Sequence, residues 1–274
     1  MNLQALFSLE SRVALVTGAG TGLGRHFACV LARAGAQVVL AGRRIDKLRE
    51  AAEAIELSGG QALCVALDVR EEASVIDSLN EIERRAGIVD VLINNAGTNA
   101  PCAAIDVSIE DWDAILDTNL RGCFLLARES AKRLIRAGRP GSIVNVASVL
   151  GIRTQKGLAP YMASKAGLVH LTRGLALEWA RYRIRVNALL PGYFLTDLTD
   201  EFLATESGAA LLRNIPQRRL GDMDELTGPL LLLASMTCEY TWSGRRTGCV
   251  RSCGRRCVVS GCRCSSCRPA SGSR

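Results

Sequence analysis

The chain has 274 residues, 48% of them apolar, which is enough for a sizeable core and excludes global disorder. Its net charge of +7 is misleading: residues 241–274 hold eight of the 34 basic residues and none of the 27 acidic ones, so residues 1–240 stand at −1 and offer no nucleic-acid surface. No apolar run approaches the roughly eighteen residues of a membrane helix, the densest being Pro229–Ala234, and Met1–Arg12 lacks the basic start of a signal peptide, so a soluble cytoplasmic protein is expected.

In chain order, apolar β-rich runs alternate with segments of helical period. Strands are expected at Arg12–Thr17, Gln37–Ala41, Ala62–Leu67, Asp90–Asn94, Ser142–Ser148 and Ile184–Leu190. Their near-continuous apolar character predicts strands covered on both faces. Helices are expected at Gly22–Ala34, Ile45–Leu57, Glu71–Ala86, Ile109–Ala137, Leu158–Tyr182 and Leu226–Ala234. Strict alternation implies right-handed crossovers, hence an α/β fold: one domain, residues 1–240, built on a doubly wound parallel sheet.

The first strand runs into Thr17-Gly18-Ala19-Gly20-Thr21-Gly22-Leu23-Gly24, where the first helix begins. Glycine permits a tight turn and close backbone approach, and a helix N-terminus offers free N–H groups with a positive dipole, a combination suited to a pyrophosphate. The bland alternative is a flexible turn, which its place directly after strand one disfavours. The second strand ends Gly42-Arg43-Arg44, where NAD-specific sites hold a carboxylate for the ribose 2′-hydroxyl. Guanidinium groups in its place favour the 2′-phosphate of NADP(H) over NAD(H), with Arg43 on the phosphate and Arg44 stacked on adenine. The bland alternative for both arginines is a solvated helix start.

Tyr161 and Lys165, four residues apart in a helical segment, share one helix face. A free tyrosine is a poor base near neutrality, but a neighbouring ammonium and the positive nicotinamide ring favour a phenolate. Ser148 ends the fifth strand, at the sheet edge that faces the ligand crevice. Singly, the pair could be surface residues and the serine a cap. His26 and His170 lie in helical segments without catalytic pairing and are expected to be structural, and the body shows no metal-ligand spacing.

Together these motifs resemble the short-chain dehydrogenase/reductases over Leu9 to about Tyr240. Thr17–Gly24 is similar to that family's TGxxxGxG loop, Asp68-Val69 to its adenine-holding pair, and Asn94-Asn95-Ala96-Gly97 to its NNAG motif. Asn119, Ser148, Tyr161 and Lys165 match its catalytic tetrad; Pro191-Gly192 and Thr196 match the stretch that closes over the nicotinamide. The resemblance implies a Rossmann-type sheet of seven strands, a tetramer, and hydride transfer between nicotinamide and a carbonyl carbon. In it Tyr161 carries the proton and Ser148 binds the substrate oxygen. Lys165 holds the nicotinamide ribose, and Asn119 extends a proton relay through a water.

The small-molecule substrate is less legible. Residues 193–216 resemble a substrate lid, whose Phe194, Leu195, Leu198, Phe202 and Leu203 could pack on substrate or on the core. The overall pattern is similar to 3-oxoacyl-thioester reductases and to gluconate and other sugar-acid dehydrogenases. Arg153 and Lys156 could neutralise a carboxylate or phosphate, or be solvated loop charges.

Beyond Tyr240 the resemblance stops. Residues 241–274 carry six cysteines, from Cys249 to Cys267, without paired C-x-x-C knuckles or histidine. A zinc or redox module and a basic arm are alternatives; a change of coding frame is preferred. A disordered tail without the family's last strand is expected, which puts the tetramer in question. Two functions follow: an active NADP(H)-dependent reductase, or a cofactor-binding protein made inactive by loss of that strand.

Overall fold

The computed structural model describes residues 3–196, 205–235 and 246–248. After a short α1 (Leu3–Leu6), the chain alternates: β1 (Val13–Thr17), α2 (Gly22–Arg33), β2 (Gln37–Gly42), α3 (Ile45–Leu57), β3 (Gln61–Ala66), α4 (Glu72–Arg85) and β4 (Val91–Asn94). Next come α5 (Ile109–Leu116), a π-helical turn (Asp117–Arg121), α6 (Gly122–Arg136), β5 (Gly141–Val146), α7 (Ala159–Trp179) and β6 (Ile184–Leu190). The described remainder holds α8 (Glu206–Asn214), α9 (Thr227–Ala234) and β7 (Arg246–Gly248).

All pairings are parallel, in the order β3-β2-β1-β4-β5-β6-β7. Strand β1 shows why the sheet is doubly wound. Its side chains alternate, so Ala14 and Val16 enter one core with Phe27 and Leu31 of α2, Leu48 and Ile55 of α3, and Leu230 of α9. Val13 and Leu15 enter the other, with Leu79 and Ile82 of α4, Leu125 of α6 and Leu175 of α7. Both faces are buried, which is what continuous apolar strands require. The strand order reverses at β1, between β2 and β4, so a crevice opens beyond their carboxyl ends.

Several expectations need correction. Strand β3 is the sheet edge and is only partly covered, with Gln61 and Ala66 exposed, because nothing pairs with its outer side among the described residues. Strand β5 stops at Val146, two residues before Ser148. The long helix expected at Ile109–Ala137 contains a π turn, in which the Gly122 N–H donates to Asp117 O five residues back. Helix α8 has no counterpart among the expected elements; Thr205 caps it, its Oγ1 accepting from Gly208 N at 3.2 Å. The tail does contribute a strand, β7, which pairs with β6 from Ala188↔Arg246 to Leu190↔Gly248. A sheet edge recruits backbone N–H and C=O groups, so three residues can pair without the apolar side chains whose scarcity argues against a strand. The rest of the expected tail lies outside the described residues.

Candidate active site

The turn from β1 to α2 is held from behind. Thr17 Oγ1 donates to Ile93 O at 3.4 Å and accepts from the backbone N–H groups of Asn95 and Ala96 at 3.0 and 2.9 Å. The Asn95 amide nitrogen donates to the carbonyls of Thr17 and Gly18, at 3.0 and 3.3 Å. The NNAG segment after β4 therefore fixes the loop after β1, two elements joined across the point where the sheet order reverses. Gly18 takes a φ of +63°, and a Cβ on Gly24 would lie 2.1 Å from Gly18 O. The loop thus turns its backbone toward the crevice and packs the first turn of α2 against itself.

A second set of side chains faces that loop. Ser148 lies just past β5, and its Oγ accepts from Leu150 N at 3.1 Å, opening a 3-10 turn over Val149–Gly151. That bond orients the oxygen and leaves the hydroxyl hydrogen to donate elsewhere. Tyr161 and Lys165 lie one turn apart on α7. The Lys165 side chain is buried, its Nζ donates to Val146 O at 2.8 Å, and it stands 5.7 Å from the centre of the Tyr161 ring.

Asn119 is fully buried on the π turn. Its Nδ2 donates to Thr98 O (2.9 Å) and Ser164 Oγ (3.1 Å), and its Oδ1 accepts from Thr98 N (2.8 Å). It therefore ties the NNAG loop to α7 beside Lys165. The extra residue of a π turn re-aims one position of a long helix, a device common at functional sites. Nearby Cys123 is buried, which pushes its thiol up to about 11 against the opposing pull of Lys165, so it stays protonated.

A cavity of about 430 Å³ joins these parts. Gly18, Gly22, Leu23 and Gly24 line one end with Arg44; Asn95, Ala96 and Gly97 form the floor. Ser148, Tyr161 and Lys165 line the other end with Pro191, Gly192 and Thr196. Five expected site residues stand outside this lining. Thr17 and Asn119 act from behind, as bracing. Arg43 is exposed next to Arg44. Val69 is buried in the core beside α4 and α6. Asp68 is paired with Arg70 at 2.7 Å, and that hydrogen bond, with the charge of Arg43 as a smaller contribution, holds its carboxyl below the usual range.

Sequence reasoning missed three wall residues: Thr21, Val146 and Ala147. Thr21 sits inside the glycine loop, where its Oγ1 accepts from Arg44 Nη2 at 3.4 Å. Phe194 does both jobs left open for it, being buried in the core and lining the cavity, whereas Leu195 is exposed. Leu198, Phe202 and Leu203 lie outside the described residues. His26 packs between α2 and α9, 3.4 Å from Thr227 Oγ1, and burial lowers its pKa. His170 is exposed on α7. Among the described residues no cluster could hold a metal ion, and no helix is long and apolar enough to cross a membrane.

A doubly wound parallel sheet with a glycine turn after β1 and a Ser/Tyr/Lys set across the crevice defines a nucleotide-dependent oxidoreductase architecture. The chain belongs to the short-chain dehydrogenase family, whose pattern matches residues 12–207. It is 39% identical over 236 residues to a gluconate 5-dehydrogenase of Gluconobacter oxydans, covering 86% of this chain and 92% of that one. It is 34% identical over 235 residues to a 3-oxoacyl-[acyl-carrier-protein] reductase of Thermotoga maritima, covering 85% and 94%. Among solved structures, a gluconate 5-dehydrogenase from Burkholderia cenocepacia in complex with NADP and tartrate superposes with a TM-score of 0.86. It is 35% identical, and the match covers 90% of this chain and 96% of that one.

Proposed function

We propose that this protein is an NADP(H)-dependent oxidoreductase that interconverts a secondary alcohol and a carbonyl on a small substrate of the sugar-acid or 3-oxoacyl type. The observation that carries this reading is the single cavity in which the glycine loop and Ser148, Tyr161 and Lys165 meet.

The residues present suit a dinucleotide. Gly24 has no room for a Cβ, so the loop offers backbone N–H groups and the positive end of the twelve-residue α2 to a diphosphate. Arg44 in the lining and Arg43 beside it, with no carboxylate at the end of β2, suit a 2′-phosphate. When bound, the nicotinamide supplies or accepts the hydride. The chain's own part is the oxygen. In the reductive direction Ser148 donates its hydroxyl hydrogen to the carbonyl oxygen and stabilises the negative charge that develops there. Tyr161 delivers its phenolic proton to the same oxygen, giving the alcohol. Lys165 is a buried cation beside that ring and stabilises the phenolate left behind. Asn119 keeps the NNAG loop and α7 in register as the charge moves.

The test is NADPH oxidation by purified protein against a panel containing 5-keto sugar acids, 3-oxoacyl thioesters and simple ketones. Turnover of one class that disappears in Tyr161→Phe supports the reading. Tight NADPH binding without turnover of any carbonyl would instead support a cofactor-binding protein.

A further inference from the structure

Behind the cavity, one buried hydrogen-bond chain joins the elements that carry the site. Asn94 Nδ2 donates to Cys123 O at 3.1 Å and to Asn145 Oδ1 at 2.9 Å. Asn145 Nδ2 donates to Thr172 Oγ1 at 2.9 Å, and that hydroxyl donates to Leu168 O at 2.7 Å. Asn94, Asn145 and Thr172 are each 1% exposed. The chain runs from β4 to β5 to α7, with a branch to α6. Asn94 directly precedes Asn95, which holds the glycine loop, and Cys123 follows the π turn of Asn119. Asn145 precedes Ser148 by three residues, and Thr172 follows Lys165 by seven. Each donor in the chain dictates the next. Thr172 commits its hydrogen to its own helix, so towards Asn145 its oxygen can only accept. Asn145 must then present its amide nitrogen, which leaves Asn145 Oδ1 for Asn94. What is left over is Asn94 Oδ1, buried and without a partner among the described residues. An orphaned buried oxygen costs stability, and apolar side chains in the same space would not carry that cost. Stability therefore does not account for the chain.

We propose that Asn145 and Thr172 are positioning residues, which set how far α7 lies along β5 and hence where Tyr161 and Lys165 stand relative to Ser148. The inference rests on the oxidoreductase reading for its kinetic outcome alone. Thr172 lies eleven residues beyond Tyr161, about 16 Å along the helix axis. Asn145 lies about 10 Å before Ser148 along the strand direction. Helix and strand are stiff over such lengths, so a bond at one end fixes the separation at the other. Other contacts tolerate sliding. The apolar cluster of Ala147, Leu168 and Val169 is held by a force without direction. Lys165 Nζ reaches Val146 O at the end of β5, but through a flexible four-carbon stem that can follow a moving helix. Asn119 holds α7 to the π turn through Ser164, not to β5. Asn145 and Thr172 have short side chains, so the bond between them is in effect a distance between two backbones. A misplacement of about 1 Å at the reacting atoms can cost about a hundredfold in rate.

The experiment removes both partners together in Asn145→Leu/Thr172→Val, which leaves Asn94 bonded to Cys123. This pair variant of the full-length protein should melt within about 3 °C of the wild type and bind NADPH within about threefold. With NADPH and the carbonyl of the panel that the wild type reduces fastest, kcat should fall by about tenfold to a hundredfold while KM stays within about threefold. Thr172→Ser keeps the hydroxyl and should hold kcat within about threefold of the wild type. Crystal structures of the wild type and the pair variant, both with NADP, should show the separation of Ser148 Oγ and Tyr161 Oη changed by about 0.5 Å or more. A pair variant with kcat within about twofold of the wild type, an unchanged separation, an equal loss in Thr172→Ser, or a loss confined to KM or NADPH binding would overturn the assignment. Should the pair variant fail to fold, Thr172→Val, assayed below its own Tm, is held to the same kcat and separation outcomes. A wild type that turns over no carbonyl overturns the oxidoreductase reading, and the crystal comparison then decides the positioning by itself.

Discussion

Gly24→Ala and Gly174→Ala are the same chemical change in two helices, and they should move stability in opposite directions. In each case alanine removes backbone freedom from the unfolded chain and gains roughly 1 kcal/mol of helix propensity. At Gly174, in the middle of α7, the new methyl meets nothing within 4 Å, so that gain should survive. At Gly24 the methyl would lie 2.1 Å from Gly18 O, 2.5 Å from Asn95 Nδ2 and 2.8 Å from Gly18 C. Two of the three obstacles are backbone, and the third is the amide that holds the loop, so no flexible side chain can swing away. Overpacking against rigid neighbours costs about 1–3 kcal/mol, and this clash belongs at the upper end, leaving a net loss near 2 kcal/mol. For a chain of this size that is a fall in Tm of about 4–8 °C, against a rise of about 2–4 °C for Gly174→Ala. Calorimetric melts of the two variants beside the wild type read this directly. NADPH titration should show the Gly24→Ala protein at least about tenfold weaker, since its loop must open. A Gly24→Ala protein that melts at or above the wild-type temperature would refute the claim that close backbone packing fixes this turn.

Tyr161→Phe should abolish turnover and leave NADPH affinity nearly intact, and Ser148→Ala should lose on the order of a hundredfold in kcat; a Tyr161→Phe enzyme retaining more than about a tenth of the rate would show that another group carries the proton. NADPH should bind at least about tenfold more tightly than NADH, and Arg43→Gln and Arg44→Gln should each remove about 1–3 kcal/mol of that preference; equal affinities in the wild type would sink the assignment. Glu129, buried on α6, is pushed up by burial but held lower overall by Lys132, Arg128 and Arg133, so its stabilising effect is present above the ordinary glutamate range and is lost as pH falls through the depressed folded value. Glu129→Gln should therefore cost about 1–2 kcal/mol at pH 7, discounted because Lys132 is half exposed, with the difference shrinking below about pH 4; urea melts at the two pH values measure it, and a gap independent of pH would contradict it.

The parts of this molecule legible in its sequence are those where one local rule acts alone. Short continuous apolar runs bounded by turn residues, such as Val13–Thr17, read as strands buried on both faces, and a glycine cluster between such a run and an amphipathic helix has few other uses. Tyr161 and Lys165 follow from helical spacing. What stays hidden depends on groups brought together from afar. Asn94 on β4 donates to Asn145 Oδ1 on β5 at 2.9 Å, and Asn145 donates to Thr172 Oγ1 on α7 at 2.9 Å. Nothing local marks these polar residues, 51 and 27 positions apart, as one buried chain. The π turn that carries Asn119 is equally silent, since the sequence reads as one helix across it. Asp68 shows the opposite case: its motif position is legible, but its pairing with Arg70, two residues on, is not.

At the C-terminal end composition does not show how the chain leaves its last described helix. Helix α9 ends at Ala234 with carbonyls that have no partner within the helix, and it ends against β6 rather than in water. The buried Arg185 of β6 answers them, its Nη2 donating to Leu233 O at 2.8 Å and Ser235 O at 2.7 Å. Ser142 of β5 joins in, donating to the same Leu233 carbonyl at 2.7 Å while accepting from Arg185 at 3.1 Å. A cation at the negative pole of a helix, bonded to its last carbonyls, is favourable where water is excluded. This cluster sets the place and direction in which the chain leaves α9, beside β6. Once that exit is fixed, the open edge of β6 needs only backbone groups to be paired. Arg246–Gly248 supplies them opposite Ala188–Leu190, immediately before the Pro191-Gly192 wall of the cavity. The inactive alternative rests on a missing strand. With β7 in place beside that wall it loses its premise, and the intact set of Ser148, Tyr161 and Lys165 is left as the feature any function has to use.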